Sequence, residues 1–157
     1  MKVFISHKKE DELVALDVFL NLKELKVDAY LDLIDSGIEF KGELLTEHIK
    51  RKLNECTDIL VVLTEKTKLS WWVPFEIGMA SQKELPIVNY LSEGTSLPDY
   101  LEYWPRLKNA GDLSKYIAIN KKQESDILLE KAMGSFNKYA SYENRTEKFY
   151  KDLKAVL

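Results

Sequence analysis

The stretch Asp58-Ile59-Leu60-Val61-Val62-Leu63-Thr64 (DILVVLT, residues 58–64) contains the longest uninterrupted apolar run of the chain, Ile59 to Leu63. An apolar run without alternation, bounded by polar residues, is typical of a strand that is buried on both faces of a parallel sheet. Parallel neighbours can be joined only through a crossover connection, which is usually a helix. The stretch therefore predicts that strands and helices alternate on either side of it.

The segments before this stretch follow the predicted alternation. Lys2–Ser6 reads as a first strand, and residues 11–25 have helical spacing of apolar residues. Residues 27–31 read as a second strand, residues 32–41 as a polar loop, and residues 43–53 as a second helix. The apolar residues that set the spacing of the first helix are Leu13, Leu16, Phe19, Leu20 and Leu22.

The segments after the stretch continue the pattern less clearly. A helix is expected from Ser70, a fourth strand at 86–91 and a weak fifth strand at 116–119, with 92–110 as a loop holding at most one helical turn. Two further helices are expected after Gln123. Their apolar residues are Ile127, Leu128, Ala132, Met133 and Phe136 in the first, and Phe149, Leu153 and Val156 in the second. The alternation predicts an α/β fold with a parallel sheet.

Composition narrows the class of protein. The 157 residues, 45% hydrophobic, suit one domain with a hydrophobic core. The net charge of −3, with lysine and glutamate intermixed, gives no basic face, so we do not expect nucleic acid as a partner. The longest apolar run, Ile59 to Leu63, is far shorter than the roughly 20 residues that span a bilayer, so we expect no membrane partner either. A single cysteine, Cys56, excludes an intrachain disulfide and favours a reducing compartment, the cytoplasm. It should pack as a small apolar residue.

Several common catalytic patterns are absent from the sequence. His7 and His48 have no spacing with Cys56 that would suit a metal site, so no metal is expected. Neither a GxGxxG nor a GxxxxGK[ST] phosphate loop occurs, which disfavours dinucleotide-binding dehydrogenases and P-loop enzymes.

The residues that follow the predicted strands are the candidates for a ligand site. In open α/β sheets, ligands bind beyond the carboxyl ends of the strands, where the strand order reverses. Ser6, His7, Lys8 and Lys9 follow the first strand, and Asp32 follows the second. The two lysines could hold phosphates, although a charge run that opens a helix is more often only solvated.

The stretch SWWVPFEIG (residues 70–78) follows the third strand and carries one acid, Glu76. Ser70 is a good helix N-cap and Pro74 is best tolerated in a first turn, so Glu76 should lie in an early turn. An acid there could simply complement the helix dipole. Its aromatic neighbours favour a functional acid, because a wall of aromatic rings would strengthen its field and limit its access to water. These neighbours are Trp71, Trp72 and Phe75.

Together these motifs resemble the TIR (Toll/interleukin-1 receptor) domain family, in its stand-alone bacterial form. The matching segments are VFISHKKED (3–11), the loop 32–42, DILVVLT (58–64), SWWVPFEIG (70–78) and LPIVNYL (85–91). The resemblance covers about residues 1–120, so residues 1–157 are expected to form one domain with residues 121–157 as a helical extension. It implies a flavodoxin-like fold of roughly five parallel strands with helices on both faces, plus C-terminal helices.

The resemblance also implies an activity. Many members of the family cleave NAD between nicotinamide and ribose with a glutamate after the third strand, which here is Glu76. NAD would be the substrate, and no cofactor would be needed. The candidate substrate-binding residues are Ser6, His7, Lys8, Lys9, Asp32, Trp71 and Trp72. At least one of the two tryptophans is expected to pack into the core.

The resemblance further implies self-association through TIR–TIR contacts, a product that is ADP-ribose or a cyclic isomer, and a role in antiphage defence through a separate effector. Three other readings stay open: a scaffold without catalysis, an enzyme like the nucleoside deoxyribosyltransferases, and, more weakly, a phosphoacceptor receiver domain. The last needs an aspartate at the end of the third strand, which here ends Val62-Leu63-Thr64-Glu65.

Overall fold

The computed structural model describes residues 1–31, 42–92, 94–134 and 142–157, apart from the side chains of Lys68 and of residues 142–144. Within these residues five strands form one parallel sheet in the order β2-β1-β3-β4-β5. This is the flavodoxin-like strand order, which confirms the predicted fold class. The strands are β1 (Lys2–Ser6), β2 (Asp28–Leu31), β3 (Asp58–Leu63), β4 (Ile87–Leu91) and β5 (Arg106–Leu107).

Helices cover both faces of the sheet. They are α1 (Glu12–Glu24), α2 (Glu43–Asn54), α3 (Trp72–Gln82), α4 (Ala110–Ala132) and α5 (Tyr142–Lys154). One core cluster lies against α1, α4 and α5, and the other lies against α2 and α3. The C-terminal helices therefore contribute to the same core as the sheet, and residue 121, where the helical extension was expected to begin, lies inside α4.

Strand β3 explains why its sequence is apolar without alternation. All six of its residues are buried. Leu60 and Val62 belong to the core cluster under α1, α4 and α5, whereas Ile59, Val61 and Leu63 belong to the one under α2 and α3. A strand with β1 on one side and β4 on the other, and with helices on both faces, has no side left for polar residues.

The expected fifth strand at 116–119 is wrong. These residues lie in α4, where Tyr116 and Ile117 pack into the core, and a two-residue strand at Arg106–Leu107 takes the fifth position. A four-residue apolar run does not by itself distinguish a strand from a buried helical segment. The helix starts earlier than expected because Asn109 caps it, its Oδ1 accepting from the Asp112 backbone N–H at 3.0 Å.

The apolar stripe assigned to α1 is also partly wrong. Leu13, Leu16 and Leu20 are exposed, and the helix instead buries its smaller residues Ala15 and Val18 together with Leu22. Apolar residues occur on more than one side of α1, so the spacing alone did not identify the buried side. Likewise Leu128 and Met133 of the first expected C-terminal stripe and Val156 of the second are exposed, whereas Phe149 and Leu153 are buried as expected. Phe136 lies outside the described residues.

Buried hydrogen bonds hold α4 against the amino-terminal edge of the sheet. Asp58, the first residue of β3, accepts hydrogen bonds from Tyr116 Oη at 3.0 Å and from Asn120 Nδ2 at 2.7 Å. Helix α5 is held at the same edge, where Tyr150 Oη accepts from the Ile87 backbone N–H at 2.9 Å. These hydrogen bonds lie at the opposite edge of the sheet from the predicted ligand site.

Candidate active site

The strand order places the reversal point between β1 and β3. These two strands are neighbours, whereas β2 lies outside β1 and β4 lies outside β3. Ligands of such sheets bind beyond the carboxyl ends of the two central strands. Ser6 is the last residue of β1, Leu63 is the last of β3, and α3 follows β3. The predicted site residues after β1 and in α3 therefore meet at this edge.

The centre of this edge is a hydrogen bond between Ser6 and Glu76. The Ser6 hydroxyl donates to Glu76 Oε2 at 2.5 Å, and the two residues are 70 positions apart in the sequence. Ser6 has no exposed surface, and Glu76 is 2% exposed. Phe4 and Ser6 share one face of β1 because side chains alternate along a strand, and Phe4 lies in the core cluster under α3. Glu76 thus points toward the end of β1 and away from bulk water.

The start of α3 sets the position of Glu76. Ser70 Oγ accepts from the Val73 backbone N–H at 3.2 Å, as expected of a capping side chain, although the helix is assigned from Trp72. Pro74 is the third residue of the helix, in its first turn as predicted. Glu76 is the fifth residue of α3, just beyond the first turn, where the effect of the helix dipole is weaker. The bond to Ser6 therefore accounts for the acid better than the dipole does.

The tryptophans do not surround the acid as expected. Trp71 is 91% exposed and Trp72 is 40% exposed, and neither belongs to a core cluster. The cause is helical spacing, since α3 buries Val73 and Ile77 and turns position 71 to the opposite side. Trp72 lies one turn before Glu76 on the same side of the helix and contacts Phe75 edge to face, with ring centroids 5.8 Å apart. Trp72 is therefore the better placed of the two to contact a ligand of Glu76.

A second buried acid joins the loops after β1 and β3. Asp11 accepts from Thr64 Oγ1 at 2.8 Å and from Thr67 Oγ1 at 2.9 Å, and it is 3% exposed. Thr67 Oγ1 in turn accepts from the Thr64 backbone N–H at 2.9 Å. This contact was not predicted, because a charge run that opens a helix is more often only solvated. The sequence did contain a signal for it, because two hydroxyl residues, Thr64 and Thr67, follow β3 and an acid, Asp11, follows β1.

The basic residues after β1 are only partly available to a ligand. Lys8 Nζ lies 3.0 Å from Glu10 Oε1, its side chain is partly buried, and this contact lowers the pKa of Glu10. Lys9 is exposed and His7 is half-buried. Asp32, the remaining predicted substrate-binding residue, lies outside the described residues. The four candidates Ser6 to Lys9 thus lie at the same edge of the sheet because they are consecutive residues at the end of β1.

Other chemistries find little support in the described residues. No group of three or more His, Cys, Asp or Glu side chains there is arranged to hold a metal ion. Cys56 is buried in the core, as predicted, and burial raises its pKa to about 11, so its thiol is protonated at neutral pH. No helix in these ranges is both long enough and apolar enough to cross a bilayer.

Comparison with known proteins gives a family and one curated relative. The model of the TIR domain family matches residues 3–127. The chain is 26% identical over 107 residues to the protein named "Putative cyclic ADP-D-ribose synthase TIR2" from Cytobacillus dafuensis. That alignment covers 64% of this chain and 28% of the relative, so the chain spans less than a third of the relative's length.

Two solved structures are similar at a lower level. The CMP N-glycosidase BcmB of Clostridium botulinum has a TM-score of 0.46 and 20% identity, over 65% of this chain and 78% of that one. The TIR domains of the activated Roq1 resistosome, which recognises the pathogen effector XopQ, have a TM-score of 0.49 and 18% identity, over 97% and 98%. The fold assignment rests on the strand order of the chain itself.

Proposed function

The chain belongs to the TIR domain family, and on that premise we propose that it cleaves NAD at the bond between nicotinamide and ribose. The observation that carries the proposal is the buried carboxyl group of Glu76, hydrogen-bonded to Ser6 at the reversal point of the sheet. Burying an acid costs free energy unless a partner holds it, and an acid held in this way at the edge where ligands bind is a candidate functional group.

Cleavage of the bond between nicotinamide and ribose mainly requires a negatively charged group that the protein holds close to the ribose. Nicotinamide in NAD is cationic and departs with the electron pair of the glycosidic bond, so it needs no protonation. The ribose is left with oxocarbenium character, which a nearby carboxylate stabilises electrostatically and through hydrogen bonds with the sugar hydroxyls. Glu76 would be this carboxylate, and low exposure strengthens its field on the cation.

The other residues would bind and orient the dinucleotide. Ser6 would hold the Glu76 carboxyl group, and His7, Lys8 and Lys9 would contact the diphosphate. Lys8 would have to exchange its contact with Glu10 for one with a phosphate oxygen. Trp72, and with less geometric support Trp71, would stack on a base, and Asp32 would help to close the site. NAD is the substrate, and the reaction as proposed requires no cofactor.

The acceptor of the ribosyl group determines the product. Water gives ADP-ribose, and an atom of the same molecule gives a cyclic isomer. The name of the curated relative, "Putative cyclic ADP-D-ribose synthase TIR2", favours the cyclic product. We propose that this nucleotide acts in the cytoplasm as a signal in antiphage defence, sensed by a separate effector.

Mass spectrometry of NAD incubated with concentrated protein tests the proposal. Wild-type protein should release nicotinamide and form one ribosyl product, whose mass distinguishes ADP-ribose from a cyclic isomer. Glu76→Gln should keep the fold and lose turnover. Glu47→Gln, at an exposed acid of α2 paired with Lys50, is the matched control and should retain it. Nicotinamide release by Glu76→Gln at the wild-type rate would refute the proposal.

Self-association is proposed as a second property, and it would be the whole function if the chain is a scaffold. Leu13, Leu16 and Leu20 form an exposed apolar stripe along one side of α1. Light scattering over a concentration series should show assembly that Leu13→Glu weakens. Assembly without NAD loss would favour the scaffold, whereas base exchange on deoxynucleosides would favour a deoxyribosyltransferase-like enzyme.

A further inference from the structure

A cavity of about 230 Å³ lies at the amino-terminal edge of the sheet, between the end of α3, the start of β4 and α5. Three aromatic side chains line it, those of Tyr103, Trp104 and Tyr150, together with two acids, Glu84 and Glu147. We propose that this cavity binds a small organic cation through its alkylammonium group. The inference is independent of NAD cleavage, because the cavity and the Ser6–Glu76 pair lie at opposite edges of the sheet.

The aromatic rings are arranged to offer faces in different directions. Tyr103 lies edge to face with Trp104, with centroids 6.1 Å apart and planes at 77°. It also lies edge to face with Tyr150, at 5.8 Å and 86°. The Tyr150 ring is fixed, since its hydroxyl accepts from the Ile87 backbone N–H and the side chain is buried. Ring faces carry negative potential, so mutually perpendicular rings around a cavity suit a cation.

The charged residues that line the cavity are both acidic. No Lys or Arg is among the residues that line it. Glu84 and Glu147 also form no salt bridge with another residue in the part of the chain that the structure describes. Two uncompensated carboxylates beside aromatic rings attract a cation and repel an anion. Nucleotides and other phosphates are thereby disfavoured here.

One of these rings already has a cation of the chain beside it. Lys154 Nζ lies 5.2 Å from the centroid of Tyr103 and donates a hydrogen bond to the Tyr103 backbone carbonyl. Lys154 is not part of the lining of the cavity. The contact indicates that the environment of Tyr103 is favourable for an ammonium group.

The backbone at Glu84 is held in place by the end of α3. Its N–H donates to Ser81 O at 3.0 Å, and the Leu85 N–H donates to Ala80 O at 3.0 Å. This is the hydrogen-bond pattern in which a left-handed residue ends a helix, and Glu84 has φ 57° where glycine is usual. The acid is therefore carried on a rigid part of the backbone.

The volume limits the ligand to a small group. Sites for drug-sized molecules have volumes of roughly 300–1,000 Å³, so a cavity of 230 Å³ suits a ligand of about the size of choline. Choline has a neutral isostere, 3,3-dimethylbutan-1-ol, in which carbon replaces the ammonium nitrogen. The pair separates attraction to the charge from simple filling of an apolar cavity.

The test is a titration of the full chain with each compound, followed by ¹H–¹⁵N NMR of the tryptophan indole groups. Of the three tryptophans, only Trp104 lines the cavity. Choline should shift the Trp104 indole signal to saturation at millimolar concentrations, and the signals of Trp71 and Trp72 should stay in place. The neutral isostere should give no saturable shift.

Variants separate the two contributions. Tyr103→Leu should weaken choline binding about 2–5-fold, the value of an exposed cation–π contact. Glu84→Gln combined with Glu147→Gln should weaken it about 2–20-fold, as expected for the loss of two exposed charge contacts. Tyr100→Leu, at an exposed tyrosine outside the cavity, is the matched control and should bind as the wild type does.

Three results would each overturn the proposal. They are equal shifts with choline and its isostere, unchanged choline binding in the double glutamine variant, and no saturable Trp104 shift in the wild type. NAD turnover should be the same with and without choline, so failure here leaves the proposed activity untouched.

Discussion

The hydroxyl of Ser6 donates a 2.5 Å hydrogen bond to Oε2 of Glu76, which joins the end of β1 to α3. A hydrogen bond to an ionised acceptor is short and about twice as strong as a neutral one. The bond orients a carboxyl group that is buried at the predicted ligand-binding edge. Ser6 was predicted to contact substrate, and the structure shows its direct contact with the proposed catalytic group.

Ser6→Ala should therefore lower kcat for NAD cleavage by about 10–100-fold, the equivalent of losing one hydrogen bond to a charged group. KM should change little, because the change disorders the carboxylate and leaves the dinucleotide contacts in place. Steady-state kinetics on nicotinamide release give both constants. A raised KM with an unchanged kcat would instead mean that Ser6 contacts the substrate.

Thr67→Val should destabilise the fold by about 1–3 kcal/mol, because it leaves Asp11 Oδ2 without its donor and the Thr64 N–H without its acceptor. Thr67→Ser keeps the hydroxyl and should lose much less. Urea unfolding monitored by circular dichroism measures both, with Thr46→Val at an exposed hydrogen bond as control. A loss for Thr67→Val no larger than that for Thr67→Ser would contradict the role of the hydroxyl, because only the valine variant removes it.

The same substitution should have opposite effects at two glycines. Gly78 lies inside α3 with open space around its Cα, so Gly78→Ala should stabilise the fold by about 1 kcal/mol through helix propensity. Gly134 has φ 67°, so Gly134→Ala should destabilise it by about 1–2 kcal/mol. Thermal unfolding gives both signs, and a stabilising Gly134→Ala would contradict the left-handed backbone at that position.

Stability should depend on pH through Asp58. Burial raises the pKa of Asp58 above its ordinary value of 3.8. A protonated Asp58 is consistent with its contacts, because Thr57 Oγ1 has one proton and lies near two acceptors, Asp58 Oδ2 at 2.5 Å and Lys2 O at 3.1 Å. If the Thr57 hydroxyl donates its proton to Lys2 O, then the hydrogen bond between Thr57 Oγ1 and Asp58 Oδ2 needs a proton on the Asp58 carboxyl group.

The folded protein then binds this proton more tightly than the unfolded chain does. The contribution of Asp58 is complete below about pH 3.8 and is lost as the pH rises through the raised pKa of the folded state. The unfolding free energy of wild type minus that of Asp58→Asn should therefore fall as the pH rises above about 4. Denaturant titrations from acid to neutral pH measure this difference, and a difference that rises with pH would refute the assignment.

The central strands could be predicted because burial on both faces leaves a plain pattern in the sequence. β1 has the predicted bounds, and β3 differs by one residue. β5 could not be predicted, because a strand of two residues shows no periodicity. Its position is set by its pairing with β4, in which Arg106 lies beside Asn89. The buried side of α1 was also missed, because the sheet accepts its small residues and leaves its leucines exposed.

The candidate site was predictable to a similar degree. Glu76 and Ser6 could be proposed from their places after strands, and the structure brings them into contact. The exposure of Trp71 could not be predicted from the motif alone, because helical spacing fixes which side chains share a side of α3 but not which side faces the sheet. Asp11 was missed because charge in a short run does not reveal which member is buried.

The hydrogen bonds that hold α4 and α5 at the amino-terminal edge of the sheet determine where the chain can be truncated. A fragment cut at residue 127, where the family match ends, would lack Phe149 and Leu153 from the interior and the hydroxyl of Tyr150 that Ile87 requires. Such a fragment would expose the Tyr116 side of the core and should aggregate when expressed. Recombinant work on this chain should place its terminal boundary beyond Lys154.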